Sequence, residues 1–259
     1  MIKKILAFIV ILTLVAFIGA KKPVILYMAG DSTMTVNPLT KPVTDSITGK
    51  VTSEPFPYRG WGQMLPAFFN SNVIIKNYAQ SGRSSKTFLT QGWWKKIMDS
   101  VQADHFVVIG FGHNDESYKT DRKTTPEEFE LNMRKYVKDV RGKNAVPILC
   151  TPVVRRKFKD GKLEDTHGVY ADIVRKIASD EKVLLIDMQR KSAEVLLQYG
   201  ESESKKLFVY LSPNENRNYP KGVEDDTHFN ELGANTMAGL FIDGIQELKV
   251  KPLTKHLNK

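Results

Sequence analysis

Five short apolar runs recur along the chain: Val24–Met28, Val73–Ile75, Phe106–Ile109, Val146–Cys150 and Val183–Ile186. Runs of this length, without polar alternation, are the pattern of strands covered on both faces. The segments between and after them carry one-sided apolar stripes at helical spacing. One contains Trp61, Met64, Leu65, Phe68 and Phe69, and the next contains Trp94, Ile97, Met98 and Val101. A third contains Phe129, Met133, Tyr136, Val137 and Val140, a fourth Val169, Ile173 and Ile177, and the last Met237, Leu240, Phe241, Ile245 and Leu248. Thr125-Pro126-Glu127-Glu128 reads as a helix start, in which Thr caps, Pro occupies the first turn and Glu128 reaches back. Strand alternating with helix predicts a parallel sheet of five strands covered on both faces, a three-layer α/β/α sandwich. The chain has 259 residues, ample for one such core and short for two, so residues 21–259 are expected to form one domain.

Two segments break the alternation. Residues 35–60 carry Pro38, Pro42, Pro55 and Pro57 without period, and residues 202–226 are polar and rich in Asn. Loops this long in a compact domain are usually functional or disordered, and these two are read as walls of a substrate groove.

At the N-terminus, Lys3 and Lys4 precede an apolar run from Ile5 to Ile18, followed by Gly19-Ala20. Residues 1–20 are therefore expected to be a signal peptide cleaved near Ala20, which implies a secreted or periplasmic protein. The run is shorter than the roughly 20 residues of a membrane span; a retained anchor is the alternative. Cys150 is the only cysteine, which excludes an internal disulfide, and its place at the end of an apolar run makes it a small buried hydrophobe. With one Cys and scattered His there is no zinc-type ligand cluster. The formal net charge is +9, or +7 without Lys3 and Lys4. Such a surface attracts acidic polymers, a uronic-acid polysaccharide among them, although a lysine-rich soluble surface explains it as well. No dense Lys/Arg block or nucleic-acid motif is present, so no nucleic-acid partner is expected.

Chemistry is concentrated at four points. Gly30-Asp31-Ser32-Thr33 follows the first apolar run, and ligands of open α/β sheets bind at the carboxyl ends of strands. Ser81-Gly82-Arg83 follows the second run, where a glycine lets a backbone N–H approach a ligand closely. Gly112-His113-Asn114-Asp115 follows the third, with an amide that can donate. Asp225-Asp226-Thr227-His228 precedes the last stripe, and an acid three residues before a His can fold back onto the imidazole Nδ1. Each alone is an ordinary turn.

Taken in order, Gly30-Asp31-Ser32, Gly82, Asn114 and Asp225-x-x-His228 resemble the four blocks of the SGNH (GDSL-type) hydrolases, and the likeness is greatest to the rhamnogalacturonan acetylesterases. Gly60-Trp61-Gly62-Gln63, Gly82-Arg83-Ser84-Ser85, Thr151-Pro152-Val153 and Asp226-Thr227-His228-Phe229 extend it over nearly all of residues 21–259. The resemblance implies a flavodoxin-like sandwich and a secreted serine esterase that removes acetyl groups from a pectic polysaccharide. It implies Ser32 as nucleophile, His228 as base and then acid, and Asp225 as the group that fixes the imidazole, with Asp226 as the rival. The oxyanion hole would be the backbone N–H groups of Ser32 and Gly82 with the Asn114 side chain. No metal or organic cofactor is needed. The partner would be an acetylated polysaccharide or oligosaccharide, met by a monomer without stable membrane insertion.

Arg83, Arg155 and Arg156 are candidate forks for substrate carboxylates. His113 joins them as a candidate substrate-binding residue and is read as support beside Asn114 rather than a base, and His167 as structural. Trp61 is assigned to the core, and Trp93, off its stripe, is a minor candidate for stacking on sugar. Two alternatives stand: an acetylxylan or other glycan or lipid esterase of the same fold, and a carbohydrate-binding protein without catalysis.

Overall fold

The computed structural model of the chain describes residues 22–258, so the expected leader at residues 1–20 lies outside the described residues. From the first apolar run the chain forms β1 (Val24–Gly30), then a hairpin of β2 (Thr40–Thr44) and β3 (Val51–Pro55), and α1 (Trp61–Met64). It continues through β4 (Val73–Asn77), α2 (Ser85–Thr90), α3 (Trp93–Met98), β5 (Phe106–Gly110), α4 (Pro126–Gly142) and β6 (Val146–Cys150). A small hairpin of β7 (Phe158–Lys159) and β8 (Lys162–Leu163) leads to α5 (Val169–Asp180), β9 (Leu184–Ile186) and α6 (Met188–Glu203). The antiparallel pair β10 (Phe208–Leu211) and β11 (Val223–Phe229) precedes the last helix, α7 (Glu231–Glu247).

The five expected strands make one parallel sheet in the order β4-β1-β5-β6-β9. Their side chains divide with a period of two. Leu26, Met28, Phe106, Val108, Ile148 and Cys150 enter the core under α1, α6 and α7, where Trp61 lies 5.3 Å from Phe241. Tyr27, Ala29, Val107, Ile109 and Leu149 enter the opposite core under α2 to α5. Burial on both faces explains why the runs show no polar alternation. α4 begins as expected, with Thr125 and Glu128 forming a reciprocal capping box.

The long segments, expected as loops, contain paired strands, and both contribute residues to the cleft. Residues 40–55 fold into a hairpin, closed at its turn by Asp45, which accepts from the Ile47 and Thr48 N–H groups. Its prolines are tolerated because a two-stranded ribbon leaves alternate N–H groups unused. Residues 208–211 and 223–229 pair as β10 and β11, and the 212–222 loop between them braces the first hairpin. Asn216 and Asn218 both donate to the Pro55 carbonyl, and Arg217 reaches Thr52 and Glu54.

The connection from β1 leads to β4 on one side, and the chain then crosses to β5 on the other. The order of the strands therefore reverses between β1 and β5, which is where an open α/β sheet leaves a crevice at its carboxyl edge. Gly30 and Gly110 are paired at that edge. A side chain at Gly30 has no room, because a Cβ there would lie 2.3 Å from the Met34 sulfur and 3.0 Å from the Gly110 carbonyl.

Candidate active site

Ser32 occupies the turn directly after β1. Asp31 shapes that turn by accepting from the Thr33 N–H (2.9 Å) and hydroxyl (2.8 Å), and Thr35 ties the chain beyond it to the Ala79 carbonyl. Asp31 is buried, which alone would raise its pKa; the facing His113 and the two Thr33 donors outweigh this and hold it below the usual carboxylate range.

His228 reaches Ser32 from the other end of the chain. Val209 pairs with Asp225 and Phe208 with Phe229, so Asp226, Thr227 and His228 have no opposite residues and bulge out of β11. Within the bulge Asp225 turns back on itself. Its Oδ1 accepts from the Thr227 and His228 N–H groups (2.8 and 2.9 Å), and its Oδ2 lies 2.8 Å from His228 Nδ1. His228 Nε2 lies 2.9 Å from Ser32 Oγ. With Nδ1–H donating to Asp225, Nε2 is the acceptor for the Ser32 hydroxyl. Burial would raise the Asp225 pKa, but the His228 ring and the two N–H groups prevail, so Asp225 stays anionic below the usual range. The rival Asp226 is engaged elsewhere, with Arg156 at 2.7 Å and with the Tyr210 hydroxyl.

Ser32, Gly82 and Asn114 line one cleft of about 430 Å³ with Asp225 and His228. Gly82 has φ +76°, a conformation that L side chains disfavour. Among the described residues the Ser32 and Gly82 N–H groups have no protein acceptor. The Asn114 amide donates to the Arg83 carbonyl at 3.0 Å, and its oxygen accepts from Arg122 at 3.3 Å. A hydroxyl bonded to an imidazole, an imidazole bonded to a carboxylate, and uncommitted N–H groups on residues that line the same cleft are the components of acyl transfer through a serine.

The remaining candidates are not at the cleft surface. His113 is buried behind Asp31, with Nδ1 3.4 Å from the carboxylate and its ring edge-on to His167 at 4.5 Å. Burial pushes its pKa down to about 4. Arg155 pairs with Glu116 and donates to the His113 carbonyl, while Arg156 is buried among Asp226, Ser204 and Tyr210. Arg83 donates to Gln91 and Ser81. His167 bridges the Val153 carbonyl and Glu116, Trp61 is buried, and Trp93 carries Lys96 over its ring. Cys150 is buried, which pushes its thiol pKa up.

Several cleft residues have no signal in the sequence. Lys41 stands over Phe56 (3.5 Å), Tyr58 meets the His228 ring edge-on (5.8 Å), and Arg122 covers Gly82. Burial, then the Asp225 charge, pushes the Tyr58 phenol far up, so it remains protonated. Lys41, Phe56 and Tyr58 fall in the segment read as a groove wall, but no spacing singles them out.

The chain is similar over most of its length to known proteins. The model of the GDSL-like Lipase/Acylhydrolase family matches residues 45–235. The rhamnogalacturonan acetylesterase RhgT of Bacillus subtilis (strain 168) is 36% identical over 92% of this chain and 95% of its own. A second protein of that strain, named "Probable rhamnogalacturonan acetylesterase YesY", is 34% identical over 90% of this chain and 97% of its own. The crystal structure of protein YxiM from Bacillus subtilis superposes with a TM-score of 0.71 at 23% identity, covering 88% of this chain and 58% of that one.

Proposed function

The chain belongs to the GDSL-like lipase/acylhydrolase family, and from that premise we propose that it is a secreted carbohydrate acetylesterase that removes acetyl groups from pectic rhamnogalacturonan. The observation that carries the reading is the continuous path Ser32 Oγ–His228–Asp225, with 2.9 and 2.8 Å separations, open to a cleft. His228 takes the Ser32 proton as Oγ attacks the acetyl carbonyl. Asp225 holds the tautomer and stabilises the imidazolium that forms. The Ser32 and Gly82 N–H groups and Asn114 receive the oxyanion. His228 then protonates the departing sugar hydroxyl, leaving acetyl-Ser32. A water activated by His228 hydrolyses that ester and regenerates the serine.

Two relatives named as rhamnogalacturonan acetylesterases, each matched over at least nine-tenths of both chains, favour the pectic substrate. The basic cleft residues Lys41, Arg59 and Arg122 suit an acidic polymer. Among the described residues no helix is long and apolar enough to cross a membrane. The charged start and apolar run at residues 3–18 favour export.

The test is acetate release from acetylated rhamnogalacturonan, acetylated xylan and a long-chain ester. Release mainly from the pectic polymer supports the reading. Preference for xylan or the long-chain ester overturns the substrate, and binding without release overturns the activity.

A further inference from the structure

Arg122 sits in the cleft without an evident structural reason. Its nearest carboxylate, Asp121, is the adjacent residue, 68% exposed and 3.4 Å away, a weak tether in water. Its Nε is buried without a hydrogen-bond partner, an arrangement that costs stability rather than supplying it. Yet the chain that carries it is anchored just beyond it. Thr124, two residues on, is fixed to the buried Asp115 by both its N–H and its hydroxyl, and Lys86 donates to the Lys123 carbonyl.

What Arg122 touches is Asn114 and Gly82. Its NH1 donates to Asn114 Oδ1, and the same nitrogen would lie 3.1 Å from a Cβ built on Gly82. Asn114 is thereby gripped at two ends, by a cation on its oxygen and by the Arg83 carbonyl on one amide hydrogen. A carboxamide has two donors, so one N–H remains uncommitted. The grip also fixes the amide orientation: a flipped Asn114 would present Nδ2 to a guanidinium and its oxygen to the Arg83 carbonyl, both repulsive. A flip would additionally place an oxygen where an oxyanion must be received.

We propose that Arg122 is a positioning residue that acts through Asn114, holding the carboxamide by its oxygen so that the free N–H faces the developing oxyanion. The inference rests on the acyl-transfer reading of the cleft. Drawing electron density from the amide oxygen also makes the opposite N–H a stronger donor.

The test uses p-nitrophenyl acetate, a small neutral ester that needs no carbohydrate contact, with Ser32→Ala as the control. Arg122→Met is expected to lower kcat about 10- to 10²-fold at nearly constant KM, less than the ~10²–10³ typical of losing an oxyanion donor outright. Arg122→Lys, which keeps a donor, should recover part of the loss, and thermal melting should show both variants folded. In an Asn114→Ala background, adding Arg122→Met should change kcat by no more than about twofold, because the group it acts through is gone. An unchanged kcat in Arg122→Met, a loss confined to KM, or an equal loss with and without Asn114 would each overturn the proposal. Turnover that survives Ser32→Ala would remove the acyl-transfer reading and this inference together. Turnover lost in Ser32→Ala but indifferent to Arg122 would remove this inference alone.

Discussion

Acid stability should report on His113. Its ring is buried, faces Asp31 at 3.4 Å, packs edge-on against His167, and lies near the Arg155 guanidinium. Burial is the dominant effect, and it lowers the pKa from 6.5 to about 4. Above pH 6.5 the imidazole is neutral in folded and unfolded chains alike, and it contributes no pH dependence. Between 6.5 and about 4 the unfolded chain takes up a proton that the folded chain refuses, so stability falls as pH falls. The difference corresponds to a loss of about 3 kcal/mol by pH 4. Asp115 acts with the opposite sign over an overlapping range. Burial raises its pKa from 3.8 to about 6, so protonation favours the folded state as pH falls. The wild-type curve alone can therefore look flat. The informative quantity is the difference between wild type and His113→Gln: the Asp115 contribution cancels, and Asp31, which loses His113 as a partner in the variant and shifts up, widens the difference in the same direction. Urea unfolding from about pH 7.5 to about pH 4 should show wild type losing about 3 kcal/mol more than the variant. Parallel curves would refute the argument that burial keeps His113 neutral.

Three further outcomes follow from the site. Asp225→Asn should leave the fold intact and lower kcat by about 10⁴, by the measure of the serine-protease triad, because the amide no longer fixes the His228 tautomer; steady-state kinetics on an acetyl ester reads this directly. Asn114→Ala should cost ~10²–10³ in kcat, or about 3–4 kcal/mol of transition-state stabilisation, with a circular dichroism spectrum like that of wild type. Gly82→Ala should lose both activity and ~1–2 kcal/mol of stability, since the position has φ +76° and the new Cβ would press on Arg122; kinetics and chemical denaturation together measure the two losses.

Much of the central architecture is legible because it obeys simple periods. Leu26 and Met28 enter one core and Tyr27 and Ala29 the other, so β1 had to be continuously apolar. The Asp225–His228 contact is legible because it is local, three residues apart. Its strand context is not, because the β11 bulge depends on pairing with β10. The first stripe fails as one α-helix because Pro66 diverts it: α1 stops at Met64 and a 3-10 turn continues over Leu65–Phe68. α6 lacks a plain stripe because its buried positions include Gln189, Lys191 and Ser192 beside Met188 and Leu196. Arg155 and Arg156 look like surface forks in sequence, and only the fold reveals Glu116 and Asp226 as their partners. Lys41, on the β2–β3 hairpin, and Tyr58 and Arg122, on loops, reach the cleft through long-range packing, for which a single sequence carries no pattern.

Whether Ser32 carries the acyl group can be read from an active-site label. The protein would be treated with a fluorophosphonate, the modified peptide mapped by mass spectrometry, and acetate release followed in parallel. The label should land on Ser32, and activity should disappear in proportion to its modification. Full turnover with Ser32 completely labelled, or loss of turnover through a label on another residue, would contradict it.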